Sequence, residues 1–271
     1  IVTATRTAIT ADEALSSVTV ITRADIERLQ PLSVQDLLTG LPGVSFANAG
    51  GIGQQTSLFM RGTNSSHTLV LIDGVRIGSV GNGLPAFEQL PVEQIERIEI
   101  VRGPRSSLYG ADAIGGVIQI FTRHGTRDGG LLPSFSVTTG SNNLLRGQAG
   151  LAGGSEHAWY NLSVGAQHTR GINACRIGAA EAFAGCFADE PDQDAYSNKN
   201  LSANGGYRWD NGAQLTGNWL RSLGEIHFDG SYQNRSRTVQ QVAGSALSFN
   251  LLQAWKTTLS VGQNLDRYDN Y

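Results

Sequence analysis

The chain has 271 residues, among them 34 Gly, 7 Pro, 2 Cys and 1 Met, and 16% of it is charged. Glycine stands well above the roughly 7% of average proteins but follows no G-X-Y period, which excludes collagen, and 40% hydrophobic residues exclude wholesale disorder. The net charge of −3 lacks the footprint of a nucleic-acid binder, and no apolar run reaches the length of a transmembrane helix, so soluble proteins and membrane β-barrels remain.

In chain order, Thr22 to Gln30 is predicted as a short helix with Thr22 as its N-cap. Ser33 to Leu41 is a second, opened by Ser33 with Asp36 three residues on and ended by Pro42-Gly43. Apolar, β-branched runs predict strands at His67 to Asp73, Ile95 to Val101 and Gly116 to Phe121. Composition changes near Arg123, so these elements form a small α+β domain. Its basic residues are all Arg, whose fixed bidentate fork suits satisfied polar pairs at an interface, a lineage preference for Arg being the plain alternative.

From about Leu131 only strand-like alternation and Gly/Asn/Asp breaks remain. Ala158, Tyr160, Leu162, Val164 and Ala166 alternate with Trp159, Asn161, Ser163, Gly165 and Gln167, and Leu201 to Trp209 repeats the pattern. Seven strands are predicted, near 131–140, 144–153, 157–169, 198–209, 212–222, 237–249 and 254–267. Periodicity alone does not separate a soluble sandwich from a membrane barrel. Two features favour the barrel. Short connections at Gly140 to Asn143 and Asp210-Asn211 contrast with long polar ones at Thr169 to Asn198 and Ser222 to Arg237. Trp159, Tyr160, Tyr207, Trp209, Trp219 and Trp255 are expected at strand termini, where an aromatic girdle would lie. Seven strands cannot close around a domain of this size, since plugged lumens need about 22 strands, so a fragment of a larger barrel is expected. Cys175 and Cys186 lie in one polar stretch and read as a loop-closing disulfide of an oxidising compartment rather than two free thiols.

The segment I-E-R-I-E-I-V-R-G-P-R-S-S-L-Y-G-A-D-A-I-G-G-V-I-Q-I-F, Ile95 to Phe121, resembles the plug motif of TonB-dependent outer-membrane receptors. L-L-T-G-L-P-G-V (Leu37 to Val44), F-M-R-G (Phe59 to Gly62) and V-L-I-D-G-V (Val70 to Val75) occur in the family's order, and Arg61 to Arg76 is similar to the plug core of its cobalamin-transporting members. The resemblance implies an α+β plug domain inside an antiparallel transmembrane β-barrel of about 22 strands, of which roughly the first seven are present. Residues 1–5 would be the remnant of a Ton box, 6–124 the plug and 125–271 the N-terminal part of the barrel. It further implies a monomeric bacterial outer-membrane transporter in contact with lipid, not an enzyme, that imports cobalamin or a related corrinoid. TonB would pair with Ile1, Val2, Thr3 and Ala4 by strand addition. A siderophore or haem receptor is the alternative within the class, and a soluble or secreted calcium-binding β protein the alternative outside it.

Two Gly-rich segments, Asn48 to Ser57 and Gly78 to Phe87, would be apical loops that cradle the ligand, with Gln55, Ser57, Asn64, Asn82 and Gly83 as contacts. Between Glu181 and Asp194 stand five carboxylates, Glu181, Asp189, Glu190, Asp192 and Asp194, without a basic residue. Such crowding requires solvent or a hard cation. By resemblance Asp192 and Asp194, with Asp229 of the next long loop and Asn173, would bind calcium that orders the loops, a solvated acidic loop being the alternative. His67, His124, His157, His168 and His227 are scattered, and neither H-E-x-x-H nor G-x-S-x-G is present.

Overall fold

A computed structural model of the chain describes residues 17–79, 83–126, 129–174, 190, 192–230, 232–252 and 255–271. The segment Ile1 to Ala4, the cysteines Cys175 and Cys186, and Asn82 lie outside the described residues.

The first part begins with β1 (Val18–Ile21), α1 (Arg23–Leu29) and α2 (Val34–Leu38). Both helices start on reciprocal capping boxes, Thr22 with Asp25 and Ser33 with Asp36. The Asp25 carboxyl is held down at about 2, first by hydrogen bonds from the Thr22 side chain and backbone and then by Arg28. Its contribution to stability is therefore in place above the ordinary carboxylate range and is lost as pH falls towards about 2. Ser33→Ala leaves the first turn of α2 uncapped and is expected to cost about 1 kcal/mol, read as a shifted denaturation midpoint with an unchanged slope.

β2 (Val44–Asn48) and β3 (Thr56–Met60) form a separate hairpin. β4 (Thr68–Ile72), β5 (Val75–Ile77), β6 (Ile95–Arg102), α3 (Ser106–Tyr109) and β7 (Gly116–Thr122) follow. The sheet order is β1-β6-β7-β4-β5, with β4 parallel to β7 and the other pairs antiparallel. Every residue of β4 is buried, because Val70 and Ile72 face one apolar cluster and Leu69 and Leu71 the other. This two-sided burial explains its unbroken apolar run. Asp73 (φ 47°) and Gly74 (φ 83°) make the two-residue turn into β5, the Asp-Gly pair that left-handed backbone at both positions favours.

The second part is an open antiparallel meander of β8 (Gly130–Gly140), β9 (Leu144–Gly154), β10 (Ala158–Thr169), β11 (Tyr196–Arg208), β12 (Gln214–His227), β13 (Arg235–Leu252) and β14 (Trp255–Asn270). All seven expected strands are present, and β12 and β13 run several residues further than the alternation indicates. The face carrying Phe135, Val137, Leu162, Val164 and Leu201 is exposed, whereas Gln148, Asn161, Ser163, Asn198, Ser202 and Gln240 point at the first part and are buried. Polar side chains thus face the small domain and apolar ones face outward, the reverse of a soluble sandwich. Leu220 and Val242 are exceptions that join the plug core.

Two expectations are corrected. The turn after Gly140 belongs to the same end as the long loops, since Thr169 Oγ1 and the Arg170 amide both donate to Asn142 O, at 3.1 and 2.9 Å. In a meander successive connections alternate ends, so its shortness says nothing about its side. Trp159 is buried on the inner face against Gly206, and Trp219 lies within β12 rather than at its end, so neither joins Tyr207 and Trp209, whose rings meet edge to face at 5.1 Å.

Candidate functional site

The hairpin of β2 and β3 presents a loop over residues 49–55, shorter than expected because Asn48 and Ser57 are already in strands. Asn48 shapes it by accepting from the Gly50 amide (2.8 Å) and donating to Thr56 Oγ1 (2.8 Å). Two contacts fix it to the wall. Gln54 Nε2 donates to the His227 carbonyl at 2.6 Å, and Gly53 packs directly on the Tyr196 ring. Tyr196 in turn donates to the Glu88 carbonyl at 2.9 Å.

Four of the five predicted ligand residues are described. Gln55 is exposed at the loop and Ser57 half-buried in β3. Asn64 is exposed and caps the 3₁₀ turn Ser65–His67, accepting from the Ser65 amide at 2.8 Å. Gly83 (φ 72°) stands beside Ser66 of the same turn. Because Ser65 Oγ also accepts from the Leu58 amide at 3.1 Å, the hairpin, the Asn64 turn and the Gly83 loop form one connected patch of amide, hydroxyl and backbone groups.

The acidic residues divide. Glu190, Asp192 and Asp229 each bring a carboxylate oxygen within 4.8 Å of the others. Asn234 Nδ2 donates to Glu190 Oε1 at 2.7 Å and the Gly230 amide to Oε2 at 3.4 Å, tying the two long loops together. Asp194 is not in this cluster. It is 2% exposed, accepts from the Ala174 amide at 2.8 Å and has its carboxyl pushed up by burial, which fits a brace inside the loop. Asn173 Nδ2 donates to the Glu190 carbonyl at 3.4 Å. Glu190 was one of five acids in its run, and nothing in its spacing set it apart.

Below the loops a polar seam joins plug to wall. Arg146 of β9 pairs with Glu93 at 2.5 Å and donates to the carbonyls of Pro31 (3.1 Å) and Leu32 (3.4 Å). Gln94 donates to Asn200 (2.5 Å), Asn198 to Gln89 (3.2 Å), Asn204 to Thr122 (2.5 Å), and Tyr268 to the Glu88 carboxylate. Burial pushes the Glu88 carboxyl up to about 7. A cavity of about 250 Å³ opens between the plug segments around Gln35, Gly50 to Gly53 and Phe87 to Glu93 and the wall around Gln148, Gln167 and Asn200.

A small α+β domain held by polar contacts against the inner face of an apolar-outward antiparallel meander defines a plugged β-barrel. The family described as the TonB-dependent Receptor Plug Domain matches residues 10–117. The chain is 33% identical over 283 aligned residues to the vitamin B12 transporter BtuB of Photobacterium profundum, covering 100% of this chain and 43% of that protein. Among solved structures, the siderophore receptor PirA from Acinetobacter baumannii superposes with a TM-score of 0.73 at 21% identity, covering 95% of this chain and 41% of its own. A mutant of the ferric enterobactin receptor PfeA from Pseudomonas aeruginosa, in complex with enterobactin, gives 0.70 at 20%, covering 94% and 42%. Residues 10–117 therefore carry the plug domain of TonB-dependent receptors, and the chain spans less than half the length of these relatives.

Proposed function

We propose that the full-length receptor binds cobalamin or a related corrinoid outside the bacterial outer membrane and imports it by a TonB-dependent route. The observation that carries this reading is the 33% identity to a vitamin B12 transporter along the whole chain. The patch of Gln55, Ser57, Asn64 and Gly83 supports it, because a large, amide-decorated ligand is met by small polar side chains and backbone rather than by a charged pocket. Asn82 would join them.

The apolar outer face would contact outer-membrane lipid and the plug would fill the lumen, so uptake requires the plug to move. Ile1, Val2, Thr3 and Ala4 would be the segment that TonB engages by strand addition. The barrel would act as a monomer and a conduit, not as an enzyme, and Cys175 with Cys186 would close the long loop. Glu190, Asp192 and Asp229 offer an all-oxygen, triply acidic donor set suited to calcium, with Asp194 and Asn173 holding the loop around it. Such an ion would neutralise the cluster and order both loops over the ligand.

Cyanocobalamin is expected to bind the full-length receptor in detergent with calcium present, and Asp192→Asn with Asp229→Asn, or chelation, should weaken it at least tenfold. Absence of binding in calcium, together with tight binding of a ferric chelate, would replace the corrinoid reading with the siderophore one. Unchanged affinity on chelation would leave the acids as a solvated loop.

A further inference from the structure

On the outer face of the meander two cations stand together among apolar side chains. Lys199 of β11 and Arg221 of β12 are both exposed and point away from the plug, since their chain neighbours Asn198, Leu220 and Ser222 are buried on the inner side. Lys199 pairs opposite Leu223 and Arg221 opposite Leu201, so the two are diagonal neighbours, about 7–8 Å apart and within reach of each other's long side chains. Neither takes part in an ion pair among the described residues. Glu225 lies diagonal to Lys199 and opposite Arg237, and it too is outside any such pair. Asp269, also opposite Arg237, is held by Arg267. His168 stands on the other side of Lys199, so Lys199, Arg221 and Arg237 against Glu225 leave this area positive.

The same face is hollow beside the pair. A cavity of about 560 Å³ is lined by Gly147, Ala149 and Ala166, by the rings of Phe135 and Trp219, and by Lys199 and Arg221 themselves. A Cβ at Gly147 would meet nothing within 4 Å. Apart from Phe135 these residues lie on β9 to β12, each of which is paired on both sides, so the hollow does not depend on an open edge.

Height along the wall gives the pair its meaning. Tyr207, opposite Leu215, lies at the end of β11 away from the long loops. At about 3.3 Å per residue and a strand tilt of about 40°, Lys199 is about 20 Å above that level and Arg221 about 15 Å. The apolar band of such barrels is about 25 Å tall, which puts both cations in its upper half with stems long enough to reach the interface. Cations on a lipid-facing surface are costly unless they meet water or an anion. An apolar hollow bordered by two unpaired cations complements a lipid with a phosphate head.

We propose that this face holds one phosphate-bearing membrane lipid, its phosphate between Lys199 and Arg221 and an acyl chain in the hollow over Gly147, Ala149 and Ala166. The inference rests on the reading of the meander as the lipid-facing wall of an outer-membrane barrel, and it is independent of the imported ligand.

The test uses the full-length receptor in phosphatidylcholine vesicles, with acyl chains brominated either on phosphatidic acid or on phosphatidylcholine. Trp219 is the reporter, its emission being the part lost in Trp219→Phe. Half-quenching is expected at a mole fraction of brominated phosphatidic acid about fivefold below that of brominated phosphatidylcholine. Lys199→Gln with Arg221→Gln should abolish this preference, whereas Lys199→Arg should keep it. Gly147→Leu, which retains both cations but fills the hollow, should lower it as well. Equal quenching by the two lipids, or a preference that survives the glutamine pair, overturns the proposal while leaving the barrel reading in place. Quenching by neither lipid overturns both. A preference erased by excess inorganic phosphate and untouched by Gly147→Leu would reveal a plain anion site and overturn the lipid.

Discussion

Arg146→Ala is expected to destabilise the plug against the barrel wall by about 3 kcal/mol, the cost of leaving a buried charge without its partner. Arg146 is 7% exposed, and its guanidinium holds both the Glu93 carboxylate and the carbonyls that end the α1 to α2 connection. Removing it strands Glu93 and two plug carbonyls at once. The double replacement Arg146→Met with Glu93→Leu should recover the part of the loss that comes from the stranded carboxylate, while the Pro31 and Leu32 carbonyls stay unpaired. Chemical denaturation of the full-length receptor in detergent provides the measurement. A change below about 1 kcal/mol for Arg146→Ala would show that water reaches this pair freely.

Gly53→Ala should have the next largest effect, with ligand affinity falling on the order of tenfold to a hundredfold, equivalent to about 1–3 kcal/mol of strain. Gly53 has φ 88°, and its missing side chain is where the Tyr196 ring lies. A methyl group there meets an unfavourable backbone and a ring together, and the ring cannot retreat without giving up the Tyr196 to Glu88 hydrogen bond. The loop over 49–55 would then lift from the wall and carry Gln55 with it. Equilibrium binding to wild type and variant decides the matter: equal affinity would mean that the loop is not part of the ligand site.

Local elements were legible in the sequence because their causes are local. Thr22 with Asp25 and Ser33 with Asp36 are three apart whatever the rest of the chain does, and both capping boxes form. The seam was not legible. Arg146 and Glu93, Gln94 and Asn200, and Tyr268 and Glu88 are far apart in the chain, and each polar residue reads by itself as an ordinary inward or surface position. The acidic run announced a cluster without its membership, since the loop bends that bring Glu190 towards Asp229 and turn Asp194 inward arise from contacts with Asn234, Gly230 and Ala174.

By itself the sequence determined the alternating strands of the second part, the helix starts and the family to which the plug motif belongs. Only the tertiary structure decided which face of the meander is inside, which end each turn occupies and which polar groups meet. A period of two is unchanged when inside and outside are exchanged, and the exchange is broken only when the plug covers the polar face and leaves the apolar one open.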